Sequence, residues 1–105
     1  MGTELTIGER IALLRRARGW TQMDLAINLG TDKTFVSRIE TNTVKTIKSD
    51  MLAKIAQVLR VSADFILGIT DDPPFEDKDL TALYEAEKAE LETEHETQKK
   101  AKKRG

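Results

Sequence analysis

A chain of 105 residues with no cysteine holds material for one compact core and excludes disulfides, thiolate nucleophiles and thiolate metal sites. No apolar stretch approaches the roughly 20 residues that cross a bilayer and no signal sequence is evident, so we expect a cytoplasmic protein with no membrane partner. The net charge of -1 divides into +3 for residues 1–70 and -4 for residues 71–105, so any contact with nucleic acid depends on where the cations lie.

Two helices are predicted in the first thirty residues. Residues 6–18 carry apolar side chains at three- and four-residue spacing, which predicts a helix with one buried face, and Gly19 follows where a helix end belongs. The second helix begins after Thr21, because a threonine with Asp24 three residues later is a capping signature. Gly30 ends it and leaves only a tight turn before the next helix.

The third predicted helix starts after Asp32, which is its N-cap, and extends to about residue 41. Val36 and Ile39 are spaced to face the core. The opposite face consists of side chains that donate or accept hydrogen bonds, namely Lys33, Thr34, Ser37 and Arg38.

The rest of the chain predicts a loop, two more helices and a tail. Residues 41–48 have no helical period, Ser49 is the expected N-cap of the fourth helix, and Ser62 caps a short fifth helix. The prolines at positions 73 and 74 end helical structure, so we divide the chain into a domain of residues 1–70 and a tail of residues 71–105. The tail is acidic and then basic, and it predicts a helix that carries Leu80, Leu83, Tyr84 and Leu91.

Three segments resemble the helix-turn-helix of the Cro and phage-repressor (xenobiotic-response-element) family: Thr21-Gln22-Met23-Asp24-Leu25-Ala26, Leu29-Gly30 and Val36-Ser37-Arg38-Ile39-Glu40. The likeness continues through residues 52–59 and 61–68. It implies an all-α fold in which a five-helix lambda-repressor-like DNA-binding domain precedes a charged C-terminal helical tail. It also implies a transcriptional regulator, a repressor that binds a palindromic operator in double-stranded DNA as a homodimer.

The resemblance assigns roles to individual residues. Gln22 matches a glutamine that contacts a phosphate from the start of the second helix, and Arg15 and Glu40 match a pair that forms a salt bridge. Asn42 stands where relatives often have glycine, which predicts a strained left-handed turn, and Lys45 is as consistent with a solvated loop charge as with a phosphate contact. The candidate DNA-binding residues are Gln22, Lys33, Thr34, Ser37, Arg38, Asn42 and Lys45.

Two other functions use the same segments. An antitoxin would use the tail to bind a toxin as its protein partner and would also regulate its own operon. A bridging adaptor would keep the helix-turn-helix only as a scaffold, but Lys33 and Arg38 on the outer face count against it. A single histidine and no glycine-rich phosphate loop predict no enzyme, no metal and no cofactor. For the dimer we favour the globular domain, through Phe65 and Ile66, over the tail helix.

Overall fold

The computed structural model describes residues 5–44, 46–70 and 74–104, and the side chains of these residues up to Glu94. The described part of the chain contains helices and no strands, which confirms the predicted all-α fold. The helices are α1 (Ile7–Ala17), α2 (Gln22–Leu29), α3 (Lys33–Glu40), α4 (Ser49–Leu59), α5 (Ala63–Leu67) and α6 (Lys78–Arg104). Within the described ranges, no helix combines the length and apolar character that crossing a membrane requires.

The starts of α2, α3 and α5 agree with the capping residues predicted from the sequence. The Thr21 hydroxyl accepts a hydrogen bond from the Asp24 N–H at 3.1 Å, and the Asp24 carboxylate accepts one from the Thr21 N–H at 2.8 Å. Asp32 and Ser62 accept bonds from the backbone N–H groups three residues later, at 2.8 and 3.1 Å. These bonds satisfy donors that the first turn of a helix leaves unpaired.

The prediction for the start of α4 was wrong by one residue. Ser49 is already the first helical residue, and Lys48 occupies the N-cap position with no capping bond from its side chain. Lys48 has an extended backbone, with φ of -63° and ψ of 147°. The backbone therefore turns into the helix one residue earlier than the serine preference suggests.

The turns between helices depend on left-handed backbone conformations. Gly30 has φ of 71° and closes α2, which permits the short turn to α3. Arg60 adopts the same conformation, with φ of 58°, at the end of α4, although it carries a side chain. The helix-turn-helix thus follows the predicted chemistry, whereas α4 ends at a residue that the sequence does not mark as a terminator.

The core contains residues from α1 to α5 and also from the segment beyond residue 70. Phe75 and Tyr84 belong to it, and α6 packs along α1. The Tyr84 ring is 2% exposed and meets the Phe65 ring edge to face, with centroids 5.2 Å apart. The core therefore continues into the segment that the sequence analysis set apart as a tail.

This packing corrects the dimer surface expected from the sequence. Phe65 and Ile66 are both buried within the same chain, so they cannot pair with a second copy without unfolding this part of the core. Tyr84, which the sequence placed on the alternative tail surface, is buried as well. The apolar spacing correctly identified buried positions, but these side chains pack within one chain and are not available on its surface.

Candidate nucleic-acid interface

The second and third helices form a helix-turn-helix unit with one apolar and one polar side. Leu25 and Ala26 of α2 and Val36 and Ile39 of α3 are buried in the core. Because side chains three and four residues apart share a helix face, burying Val36 and Ile39 turns the intervening residues outward. The core thereby determines which face of α3 meets solvent.

The outward face of α3 carries most of the groove-facing residues predicted from the sequence. Lys33, Thr34 and Arg38 are exposed, and Ser37 is half-buried beside them. Thr34, Ser37 and Arg38 follow Lys33 by one, four and five residues, and this spacing places the four side chains along one side of the helix. Phe35, which could have offered an apolar surface to DNA, is half-buried against the core instead.

A buried ion pair lies behind this face. Arg15 donates to Glu40 through Nε, at 2.7 Å from Oε2, and through Nη2, at 3.0 Å from Oε1. A third Arg15 nitrogen, Nη1, donates to the Trp20 carbonyl at 2.7 Å. The predicted pair is confirmed, and it joins α1 to the last residue of α3 in a bidentate arrangement. It also neutralises Glu40, whose charge would otherwise repel phosphate.

Gln22 is joined to the same carboxylate, a contact that sequence reasoning missed. Its Nε2 donates to Glu40 Oε1 at 3.1 Å, and the side chain is half-buried at the first position of α2. The backbone N–H groups at this helix start favour an anion, and the second hydrogen of Gln22 Nε2 remains able to donate to it. No signal within either segment predicts this bond, because it joins residues 18 positions apart.

The loop after α3 places Asn42 in a different setting from the other candidates. Asn42 has φ of 62°, the left-handed turn predicted for it. Its side-chain Nδ2 donates to the Thr6 hydroxyl at 2.9 Å, which ties the loop to the start of α1. Asn42 is therefore engaged within the protein and is not part of the α3 face. Lys45, the other loop candidate, lies outside the described residues.

The loop is held against the end of α3 by its backbone. The Arg38 carbonyl accepts hydrogen bonds from the N–H groups of Thr43, at 2.9 Å, and Val44, at 3.3 Å. Among the described residues, no group of three potential metal-binding side chains lies close enough together to hold an ion. The arrangement is a polar helix face that can donate and accept hydrogen bonds.

Comparison with known proteins agrees with this geometry. A family model described as a helix-turn-helix domain matches residues 8–68, more than half of the chain. The matched segment extends from the first turn of α1 to the glycine after α5 and includes the whole α2–α3 unit. Comparisons with curated proteins and with solved structures gave no match.

Proposed function

Because the chain belongs to the helix-turn-helix domain family, we propose that it is a cytoplasmic transcriptional repressor that binds an operator in double-stranded DNA. The observation that carries this proposal is the outward face of α3, where Lys33, Thr34 and Arg38 are exposed while the opposite face is anchored in the core. In this proposal the protein acts by binding DNA alone, with no catalysis and no cofactor.

The exposed side chains of α3 suit direct recognition of bases. The major groove of B-DNA is about 12 Å wide and admits one α-helix, and each base pair presents its own pattern of donors and acceptors there. Arg38 and Lys33 donate to the O6 and N7 acceptors of guanine, and the hydroxyl groups of Thr34 and Ser37 serve either role. The buried pair behind the helix holds this face in a fixed orientation.

The start of α2 supplies contacts that position the protein without reading sequence. Unpaired N–H groups at a helix start attract phosphate, and Gln22 stands at this end of α2. Glu40 orients the Gln22 amide through the 3.1 Å hydrogen bond. Gln22 therefore contributes to affinity for every sequence, whereas α3 contributes to the choice between sequences.

A palindromic operator and a homodimer complete the proposal. One recognition helix contacts only a few base pairs, which gives too little discrimination against the many competing sites of a genome. Two copies related by a two-fold axis read two half-sites about 34 to 36 Å apart on the same side of the duplex. The affinity for the whole site then exceeds what one domain provides.

The proposal is tested by selecting duplexes from a randomised library and measuring binding by fluorescence anisotropy. Lys33→Ala and Arg38→Ala should each weaken binding to the selected site by about 1 to 3 kcal/mol and flatten the preference among half-site variants. Gln22→Ala should weaken all sequences about equally. Lys78→Ala, which removes an exposed cation from the start of α6, is the matched control and should change little.

Two results would contradict the proposal. If the library yields no enriched sequence, the protein does not read bases. If Lys33→Ala and Arg38→Ala weaken all duplexes equally, α3 contacts the phosphate backbone and the orientation proposed for it is wrong.

A further inference from the structure

An open cleft of about 820 Å³ lies where the ends of α1 and α4 meet the segment that leads into α6. Arg60 lies at the C-terminal end of α4, whereas the α3–α4 loop lies at its N-terminal end. Because an 11-residue helix is about 16 Å long, the cleft is separated from the loop end of α4. Its lining includes Arg18, Arg60, Val61, Phe75 and Leu80.

Arg18 is held in a fixed position at the wall of this cleft. Its guanidinium carbon is 5.8 Å from the centre of the Trp20 ring and 5.0 Å from that of the Phe75 ring. Its Nε donates to the Leu59 carbonyl at 2.7 Å, and its terminal amino groups donate no hydrogen bond within the described part of the chain. A guanidinium immobilised in this way offers two parallel N–H groups to a carboxylate or phosphate.

Arg60 adds a second positive charge to the same cleft. Burial lowers the pKa of Arg18, and the nearby positive charge of Arg60 lowers it further. In the described ranges, no carboxylate lies within ion-pair distance of either arginine. Two cations that have no ion-pair partner among the described residues are a favourable setting for a bound anion.

We propose that this cleft binds a small organic anion, with its phosphate or carboxylate between Arg18 and Arg60 and its apolar part against Val61 and Leu80, which are half-buried in the lining. The ligand lies at the opposite end of α4 from the loop that follows α3. It is a candidate effector of the regulator.

The acidic residues of the cleft favour a small ligand over a polyanion. Asp77 accepts hydrogen bonds from the N–H groups of Asp79, at 2.8 Å, and Leu80, at 3.3 Å, so its carboxylate is directed at the start of α6. Glu76 is exposed at the rim. Glu76 repels one anionic group weakly, so such a group still reaches the arginines. A nucleic-acid backbone carries many phosphates, and Glu76 would repel it more strongly.

Isothermal titration of the full chain without DNA tests the proposal with phenyl phosphate, benzoate and inorganic phosphate. We expect one aromatic anion to bind, and phenyl phosphate to bind more tightly than inorganic phosphate because only the former covers Val61 and Leu80. The phosphate and carboxylate probes distinguish which anionic group the arginines prefer. If neither aromatic anion binds, the proposal is wrong.

Substitution of Arg60 separates binding from folding. Arg60→Gly removes the charge at a position whose backbone suits glycine, so the variant should keep its thermal stability. Its affinity for the aromatic anion should fall about 10- to 100-fold, as expected for the loss of a charge-assisted contact. Glu76→Gln should instead strengthen binding, because it removes the repelling charge at the rim. Arg16→Gln, at an exposed position of α1 outside the cleft, is the control.

Two further results would overturn the proposal. Unchanged affinity of Arg60→Gly for the anion would show that the probe binds elsewhere. A loss of DNA affinity in Arg60→Gly equal to its loss of anion affinity would make Arg60 part of the DNA interface instead. Because the titration contains no DNA, failure of the repressor proposal leaves its result unaffected.

Discussion

Glu40 accepts hydrogen bonds from two side chains that belong to different helices, Arg15 of α1 and Gln22 of α2. The side chains of Arg15 and Glu40 are only 8% and 5% exposed. Removing one partner of such a pair leaves a buried charge without compensation, which costs far more than the net contribution of the intact pair. We therefore interpret the ion pair as a contact that fixes the orientation of α3 more than it adds net stability.

This view predicts non-additive effects of substitution. Arg15→Ala and Glu40→Ala should each destabilise the fold by about 3 to 5 kcal/mol, and the double variant should cost clearly less than their sum. Denaturant unfolding of the four proteins measures the coupling. Arg16→Ala, at the exposed neighbouring position, should change stability by about 0.5 kcal/mol or less. Strict additivity would show that the two side chains do not act as a pair.

Tyr84 predicts a specific dependence of stability on pH. Burial raises the pKa of its phenol to about 12 from the ordinary value of 10.0, with smaller upward contributions from Glu85 and Glu92 and an opposing one from Arg10. A group whose pKa is raised by folding contributes stability that is fully present below its unfolded pKa. That contribution is lost as the pH rises from about 10 toward the folded pKa of about 12.

The free energy of unfolding should accordingly fall more steeply with pH in the wild type than in Tyr84→Phe across this alkaline range. Tyr84 is the only tyrosine of the chain, so ultraviolet absorption of tyrosinate reports its ionisation directly. If tyrosinate forms at the ordinary pKa while the protein remains folded, the ring is not buried as described.

Contacts between distant residues mark the limit of what the sequence predicts at this scale. Thr21 and Asp24 are three positions apart, so their capping bonds follow from spacing alone. The bond from Asn42 to Thr6 joins residues 36 positions apart and depends on how the loop meets α1. Such bonds become visible only once the packing of the helices is known.

At the scale of elements, Gly8 controls the approach of α1 to the end of α3. A Cβ atom at this position would clash with the Ile39 carbonyl and lie 2.9 Å from the Glu40 carbonyl. Helix propensity alone would make alanine more favourable than glycine by about 1 kcal/mol. We expect the backbone clash to outweigh this, so Gly8→Ala should destabilise the fold by about 1 to 3 kcal/mol. A higher melting temperature for Gly8→Ala would show that α1 and α3 separate without cost.

The first part of α6 should be required for a stable domain. A chain that ends after Thr70 loses Phe75 and Tyr84 from the core and uncovers Phe65. Because removing one large buried aromatic side chain costs about 3 to 5 kcal/mol, this chain should unfold at much lower denaturant concentration. A chain that ends after Glu94 keeps both aromatic residues and serves as the control. Tyr84→Ala gives an intermediate variant, and equal stability of all four proteins would contradict the assignment of α6 to the core.

The sequence predicted where the helices lie better than it predicted what α6 does. Caps and glycines determine the ends of α1, α2, α3 and α5 through local bonds, and these ends were predicted closely. The role of α6 was missed because charged residues dominate its composition. Its sparse apolar stripe, Leu80, Tyr84 and Leu91, belongs to the core or lies partly buried against it. A stripe of this kind shows that a helix is covered on one side without showing what covers it.

At the scale of the whole molecule, large apolar side chains of the described residues are exposed on α2 (Met23 and Ile27), around the end of α5 and on α6. Because α2 belongs to the proposed DNA-binding unit, the other two places are where two copies can meet. A two-fold dimer requires a surface that is complementary to itself. Leu67 and Ile69, at and just beyond the end of α5, are 39% and 69% exposed. Leu67 also lines an apolar groove of about 280 Å³ between α1, α4 and the α3–α4 loop. In the described part of α6, Leu83 is the only large apolar side chain that is exposed, at 53%.

We therefore predict that Ile69→Lys weakens dimerisation strongly and that Leu83→Lys weakens it little. A lysine at position 69 would bring two like charges together beside an apolar groove, where both would lose hydration. In the described part of α6, Leu83 has only exposed alanines, and no large exposed apolar side chain, beside it with which to form a larger patch. Sedimentation velocity over a range of protein concentrations, with and without operator, measures both effects, and circular dichroism checks that each variant is folded. If Leu83→Lys is monomeric and Ile69→Lys remains a dimer, α6 forms the interface, since the substitution that separates two copies identifies the surface that joins them.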